Sequence, residues 1–126
     1  GLKRLSTETT VKIISKVGSD VYGNKVFSEF TVENIDTTNL FRDPNDSTPF
    51  TYVIVSKEDA TRTCIHHPIS QPLTASDYTS SWLAKSDNSP VDLLFIDSRH
   101  PAAATAAATK ANEYKIPILL DIEKIR

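Results

Sequence analysis

The chain has 126 residues, of which 39% are hydrophobic, and its formal net charge at pH 7 is -2. A chain of this length buries one hydrophobic core, so we expect residues 1–126 to form a single domain or part of one. Charges of both signs are mixed and no long basic run occurs. The sequence therefore lacks the basic patch that is typical of proteins that bind nucleic acids or anionic membranes. Small molecules and proteins remain as the expected partners.

Cysteine content and hydropathy indicate the cellular compartment in which we expect the protein. Cys64 is the single cysteine, which excludes an internal disulfide framework. No apolar run approaches the roughly 18 residues that span a bilayer, and no signal-peptide pattern opens the chain, so we expect a cytoplasmic protein. The sequence has no methionine and ends directly after an apolar run typical of a buried strand. We therefore expect a fragment of a larger α/β protein.

The first half of the chain predicts a strand, a helix and a hairpin. Residues 9–15 (TTVKIIS) are rich in β-branched side chains and predict a strand. Ser19 or Asp20 then caps a helix with an apolar face formed by Tyr22, Val26, Phe27 and Phe30. Residues 49–56 (PFTYVIVS) and 61–67 (TRTCIHH) are β-rich runs with a short polar connection, which predicts an antiparallel hairpin. A flap of this kind often covers a binding cleft.

The second half predicts a strand, a helix and a second strand. Residues 91–96 and 116–120 are almost continuous apolar runs, typical of strands buried on both faces of a parallel sheet. Between them, Pro101 and seven alanines predict a helix over residues 102–115. We expect these strands and Ile13 to lie in one parallel sheet with the helix packed on it.

A polar cluster follows the first of these strands: Asp97, Ser98, Arg99 and His100. In open α/β sheets, ligands bind beyond the carboxyl ends of the strands, and the planar guanidinium of Arg99 suits a phosphate or a carboxylate. The alternative is that Asp97 and His100 cap the helix while Arg99 is solvated. Ser98 has no Asp–His pair or oxyanion-type glycine motif nearby, so we do not expect a serine hydrolase.

Other common sites are not predicted. The three glycines stand apart, so the sequence encodes no glycine-rich phosphate-binding loop. His66 and His67 are adjacent on a predicted strand and point to opposite faces, so we expect no metal site. Cys64 has no resolving cysteine and no evident base beside it, and we expect a buried packing residue rather than a nucleophile.

Consecutive stretches of the chain resemble a known family: ISKVGSDVYG, NIDTTNLF, STPFTYVIVSKEDATRTCIHH, VDLLFIDSRHP and KIPILLD. Their order and spacing are similar to those of the ribokinase-like, PfkB-type carbohydrate kinases, and in particular of the ketohexokinase-like members. The resemblance implies an α/β fold in which a parallel, Rossmann-like sheet is flanked by helices. It also implies an inserted antiparallel β lid, here residues 37–67, within an incomplete ribokinase-like domain.

The resemblance further implies a set of substrate-binding residues. Lid strands of the family place alternate side chains over the sugar, which by pattern implies Thr51 and Val53 on the first strand and Ile65 on the second. Arg99 matches a substrate-proximal arginine of ketohexokinase-like members. The family's sugar-binding Asp, its Gly-Gly-Asn segment and its Gly-Ala-Gly-Asp motif with the catalytic base have no counterpart in this sequence. ATP and Mg²⁺ are therefore implied for the full-length parent, and this chain contributes neither the catalytic base nor the nucleotide site.

The expected function follows from these residues. The chain resembles a fragment of an ATP-dependent sugar kinase, which transfers the γ-phosphoryl group to a sugar hydroxyl, and it carries the lid and part of the substrate side. Pairing of the lid between subunits implies a homodimer. The alternative is a non-catalytic α/β interaction module that uses the β flap to pair with another chain.

Overall fold

The computed structural model describes residues 9–97 and 99–121 of an α/β protein. The chain divides into two compact units, Gly1–Gln71 and Pro72–Arg126. The helices and strands are β1 (Lys12–Gly18), α1 (Val21–Val32), β2 (Asp36–Asp43), β3 (Phe50–Val55), β4 (Arg62–His67), β5 (Leu94–Ile96), α2 (Pro101–Glu113) and β6 (Ile118–Leu120). Two short 3-10 helices, Ala75–Asp77 and Ser80–Leu83, precede β5. Neither α1 nor α2 has the length and apolar character that a bilayer-spanning helix needs.

In the first unit, β1 and β2 form a parallel pair connected by α1. The pairing continues to Gly18 opposite Asp43, so β1 begins and ends later than the predicted residues 9–15. The reason is that β2 supplies hydrogen-bond partners to the end of β1, which the local β-branched pattern does not reveal. The guanidinium of Arg42 on β2 lies 4.0 Å from the ring centroid of Phe27 and stabilises the contact with α1 through a cation–π interaction.

The predicted hairpin is present as an antiparallel two-stranded sheet of β3 and β4. The Ser56 N–H donates to the Thr61 carbonyl oxygen at 3.0 Å and closes the connection, in which Ala60 has a left-handed backbone with a φ of 55°. The segment before it belongs to a different sheet, because β2 pairs with β1. Within residues 37–67, the antiparallel part is therefore the hairpin alone.

In the second unit, β5 and β6 form the predicted parallel pair, with Leu94 opposite Ile118. The side chains of Ala103, Ala107 and Ala111 lie one turn apart along α2 and are 2%, 4% and 0% exposed. Because they are small, α2 packs closely against β5 and the 3-10 helices, as the alanine-rich sequence predicted.

The prediction that Ile13 and Leu94 share one sheet is wrong for the strands described here. The hydrogen bonds define separate two-stranded sheets, β1 with β2 and β5 with β6. An apolar run predicts that a strand is buried, but it does not specify which strand supplies its hydrogen-bond partners.

Candidate active site

The carboxyl end of β1 meets the amino end of α1 in a hydrogen-bonded junction. Asp20 is the N-cap of α1, and its Oδ1 accepts from the Gly23 N–H at 2.7 Å. The Thr48 hydroxyl donates to the same oxygen at 2.6 Å, and the Thr48 N–H donates to Asp20 Oδ2 at 2.8 Å. The Gly18 N–H donates to Thr48 Oγ1 at 3.1 Å. These four residues, Gly18, Asp20, Gly23 and Thr48, form what we call the Asp20 junction.

Two glycines allow the backbones at the junction to approach each other. A Cβ atom on Gly23 would lie 2.1 Å from the Gly18 carbonyl oxygen, and one on Gly18 would lie 2.3 Å from the Asp46 carbonyl oxygen. Thr48 is 6% exposed, so its hydroxyl is largely shielded from water. The junction thus packs the segment that enters the hairpin against the β1–α1 turn, at the end of a parallel strand where α/β proteins bind ligands.

The junction makes the stability of the protein sensitive to acid. Hydrogen bonds from the Thr48 hydroxyl, the Gly23 N–H and the Thr48 N–H lower the pKa of Asp20 from 3.8 to about 2. Because the folded state favours the carboxylate, this stabilisation is fully present above about pH 4 and is lost as the pH falls through about 2. Asn also caps helices, so Asp20→Asn keeps the cap and removes the titration. We expect its melting temperature to fall less steeply than that of the wild type between about pH 4 and pH 2.

Thermal melts at pH intervals in this range check the expectation. Glu58→Gln is the matched control, since Glu58 is exposed in the hairpin connection, away from the junction. Parallel melting curves for Asp20→Asn and the wild type would contradict the role given to the carboxylate.

Both ends of the hairpin segment are held by charged side chains of the same unit. Asp46 Oδ2 accepts from the Ser70 N–H at 2.6 Å and from the Gln71 N–H at 3.3 Å. Lys16 Nζ donates to the Gln71 carbonyl oxygen at 2.8 Å and forms a salt bridge of 2.8 Å with Asp43. The base of the hairpin is therefore anchored where the chain enters and leaves it.

The register of the hairpin assigns its side chains to two faces. Thr51 lies opposite His66 and Val53 lies opposite Cys64, so these four share one face. The Thr51 hydroxyl and His66 Nδ1 are hydrogen bonded at 2.9 Å. Ile65 lies opposite Tyr52 and therefore points to the other face. The grouping of Ile65 with Thr51 and Val53 is thus wrong, because the connection pairs odd-numbered residues of β3 with even-numbered residues of β4.

Both faces of the hairpin are open to solvent. The apolar side chains of β3 are 38% to 64% exposed and Ile65 is 54% exposed. Cys64 is exposed as well, which corrects the expectation of a buried packing residue: a two-stranded sheet has no second layer to bury it. At the base, the ring of Phe50 stacks on His67 with a centroid distance of 5.1 Å and lies 6.5 Å from the ring of Tyr22 on α1.

The polar turn between β5 and α2 belongs to the second unit. Asp97 and Arg99 are both exposed, and Asp97 Oδ1 accepts from the Arg99 N–H at 3.1 Å. His100 is the N-cap of α2, but its side chain does not cap the helix: Nδ1 accepts from the Leu73 N–H at 3.1 Å. Ser98 lies outside the described residues. The structure does not have the cap that the alternative assigned to Asp97 and His100: Asp97 bonds within the turn, and His100 bonds to a neighbouring segment.

The sequence did not reveal that Thr48 belongs to the junction. Asp20 was predicted as a cap, but Thr48 lies in the turn-forming run DPNDST and no local pattern distinguishes it. Its partners are 28 and 30 residues away, at Asp20 and Gly18. Across residues 9–97 and 99–121, no group of three His, Cys, Asp or Glu side chains could hold a metal ion.

Comparison with solved structures reveals close similarity of fold. An uncharacterized sugar kinase from Pyrococcus horikoshii, also solved in complex with ATP, matches at a TM-score of 0.75 and 20% identity, over 98% of this chain and 42% of that one. The PfkB protein from Polaromonas sp. matches at 0.79 and 17%, with the same coverage. A putative Ribokinase II from E. coli, also solved with ATP and Mg²⁺, matches at 0.76 and 19%, over 94% of this chain and 38% of that one.

These neighbours establish the ribokinase-like α/β fold, and the chain spans about two fifths of their length. A comparison with curated proteins found no match. The profile of the pfkB family carbohydrate kinases matches residues 1–124, which is nearly the whole chain. The chain therefore belongs to the pfkB family of carbohydrate kinases.

Proposed function

We propose that this chain is the lid-bearing part of a cytoplasmic, ATP-dependent sugar kinase. The family match over residues 1–124 carries the proposal, and sugar-kinase neighbours with ATP, in one case with Mg²⁺, support it. In the reaction, the sugar hydroxyl oxygen bonds to the γ-phosphorus of ATP while the bond to the β–γ bridging oxygen breaks, and ADP leaves. The hydroxyl proton passes to a base, which we place in the part of the full-length parent outside this chain. Mg²⁺ is proposed to be bound together with ATP in the full-length parent.

The hairpin is proposed to cover the sugar with the face that carries Thr51 and Val53. The register supports this choice, because it places Cys64 and His66 beside them and fixes the Thr51 hydroxyl by its hydrogen bond with His66. An apolar side chain next to a hydroxyl suits a sugar, which presents C–H groups and hydroxyls together. Ile65 is excluded from this set by its position on the other face.

Arg99 is proposed to contact the phosphoryl group that is transferred. Its backbone is fixed by Asp97 just beyond the carboxyl end of β5, and its side chain is exposed. A guanidinium fork binds phosphate oxygens in a bidentate manner and stays charged at any physiological pH. Such a group stabilises the transition state of phosphoryl transfer, in which catalysis depends largely on positioning and charge.

The decisive test of the kinase proposal is an assay of the purified full-length protein. We expect ADP release from Mg-ATP that depends on a sugar, in a panel of pentoses and hexoses that includes D-ribose and D-fructose. ADP is followed by a coupled enzyme assay, with the sugar omitted as the control. ADP release that no sugar in the panel stimulates would overturn the proposal and favour the alternative, an interaction module that uses its exposed hairpin.

The other face of the hairpin is proposed to pair with a second copy of the chain. Tyr52, Ile54 and Ile65 lie on it and are 61%, 57% and 54% exposed. A two-stranded sheet is marginally stable in water unless something packs on it, and a second copy offers the same apolar face.

Substitutions at two neighbouring residues, Val53 and Ile54, test the roles proposed for the two faces. Ile54 and Val53 are β-branched, similarly exposed at 57% and 55%, and point in opposite directions. We expect Ile54→Lys to convert a dimer to a monomer in light scattering while the KM for the sugar changes little. Val53→Lys should raise that KM and leave the dimer intact. The reverse pattern would show that the faces are wrongly assigned.

A further inference from the structure

We propose that His100 is the positioning residue that holds Arg99 in place, an inference that rests on the proposed role of Arg99. The long, exposed side chain of Arg99 has many rotamers, so the placement of its guanidinium depends on how firmly its backbone is held. Asp97 holds that backbone from one side through its hydrogen bond with the Arg99 N–H, and His100 adjoins it on the other side.

His100 has an unusual backbone conformation. Its φ of 48° and ψ of 58° lie in the left-handed region, which few residues other than glycine adopt. Pro101 follows and disfavours the right-handed helical conformation at the residue before it. The His100 carbonyl oxygen nevertheless accepts the first helical hydrogen bond, from the Ala104 N–H at 2.9 Å. A left-handed backbone at a residue other than glycine costs free energy, and a contact from outside the turn helps to offset that cost.

The imidazole supplies that contact. The Leu73 N–H can only donate, so His100 Nδ1 is the acceptor in their 3.1 Å hydrogen bond and the neutral ring carries its proton on Nε2. Leu73 is 4% exposed, which makes its backbone a firm anchor. Its neighbour Thr74 is held in turn, because the Thr74 N–H donates to Asp77 Oδ2 at 2.7 Å. His100 thus ties the turn to a segment that is itself fixed.

The arrangement links His100 to the proposed phosphoryl contact through Arg99. The peptide between the two residues joins a backbone anchored by Asp97 to a ring anchored on Leu73. Without the ring as acceptor, the turn would lose its tie to Leu73, and the Leu73 N–H would lose this partner. A misplacement of about 1 Å in a group that acts on the transition state can cost on the order of a hundredfold in rate.

Substitutions at His100 in the full-length protein separate the acceptor from the backbone conformation. Asn accepts hydrogen bonds and tolerates the left-handed region, whereas Gly tolerates that region and has no acceptor. With Mg-ATP and the sugar from the panel that gives the highest rate, we expect His100→Asn to keep kcat within about threefold. His100→Gly should lower kcat by about tenfold or more and change the KM for ATP little.

A double-mutant cycle with Arg99→Ala distinguishes a positioning role of His100 from a purely structural one. If His100 acts through Arg99, His100→Gly lowers kcat in the wild-type background and has little further effect in Arg99→Ala. Equal losses in both backgrounds would overturn the positioning role and leave Arg99 in the active site. An Arg99→Ala variant with unchanged kcat would overturn the proposed role of Arg99, and the positioning role with it. Circular dichroism melts of the four proteins set the assay temperature, so that the cycle compares folded proteins only.

Discussion

Replacing Arg99 with Ala in the full-length protein should lower kcat by roughly ten- to a thousandfold, because the proposed phosphoryl contact would be lost and a charge-stabilising donor contributes about 1.4 to 4 kcal/mol in the transition state. Folding should change little, since the side chain is exposed and the turn is held through the Arg99 N–H and the ring of His100. The KM for the sugar should change less than kcat, because the phosphoryl charge develops in the transition state.

Steady-state kinetics and a melting curve on the same preparation check this result. Arg99→Lys is the informative companion: it keeps the charge but loses the planar fork, and we expect an intermediate kcat. Lys57→Ala is the control, an exposed cation in the connection between β3 and β4, and should leave kcat unchanged. If Arg99→Ala retains full activity and only melts slightly earlier, the side chain is a solvated part of the turn.

Replacing Gly18 with Ala should cause a large loss of stability in the first unit. The added methyl group would lie 2.3 Å from the Asp46 carbonyl oxygen, 2.6 Å from the Thr48 nitrogen and 2.7 Å from the Ser47 carbonyl carbon. All three are backbone atoms, so no side chain can rotate away, and the loop has to move. Overpacking of this kind costs about 1 to 3 kcal/mol, and breaking the bond between the Gly18 N–H and Thr48 adds to it.

Chemical denaturation of the purified full-length protein measures this loss as a decrease in the free energy of unfolding. Ser19→Ala is the matched control, because Ser19 is exposed and its N–H bond to the Asp43 carbonyl oxygen involves the backbone only. We expect the control to stay within about 0.5 kcal/mol of the wild type. A Gly18→Ala variant as stable as the control would mean that the loop from Asp46 to Thr48 adapts without cost.

Local chemistry accounts for most of the elements that were predicted correctly. The alanines and Pro101 favour α2 through intrinsic propensity, and Asp20 caps α1 through a side chain that reaches a backbone N–H three residues on. The hairpin follows from two β-rich runs with a polar connection. Each of these features depends on residues that are neighbours in the sequence, so a pattern of a few residues is enough to reveal it.

The site was harder to predict because its geometry depends on distant partners. Thr51 and Val53 were correctly placed on a common face, since alternate residues of one strand always share a face. Ile65 was misplaced, since the face of a residue on the second strand depends on the register between strands. The role of His100 at Leu73 could not be predicted either, because the two lie 27 residues apart and the sequence contains no signal that joins them.

The sequence by itself determined that this protein contains a strand and a helix, then an antiparallel hairpin, then a strand–helix–strand unit, because periodicity and propensity act over a few residues. The tertiary structure alone decided that β1 extends to Gly18, that Thr48 completes the Asp20 junction and that the turn at His100 is held by Leu73. The physical reason is the same in each case. A buried backbone N–H needs an acceptor, and which one it finds depends on how distant segments pack, not on the residues beside it.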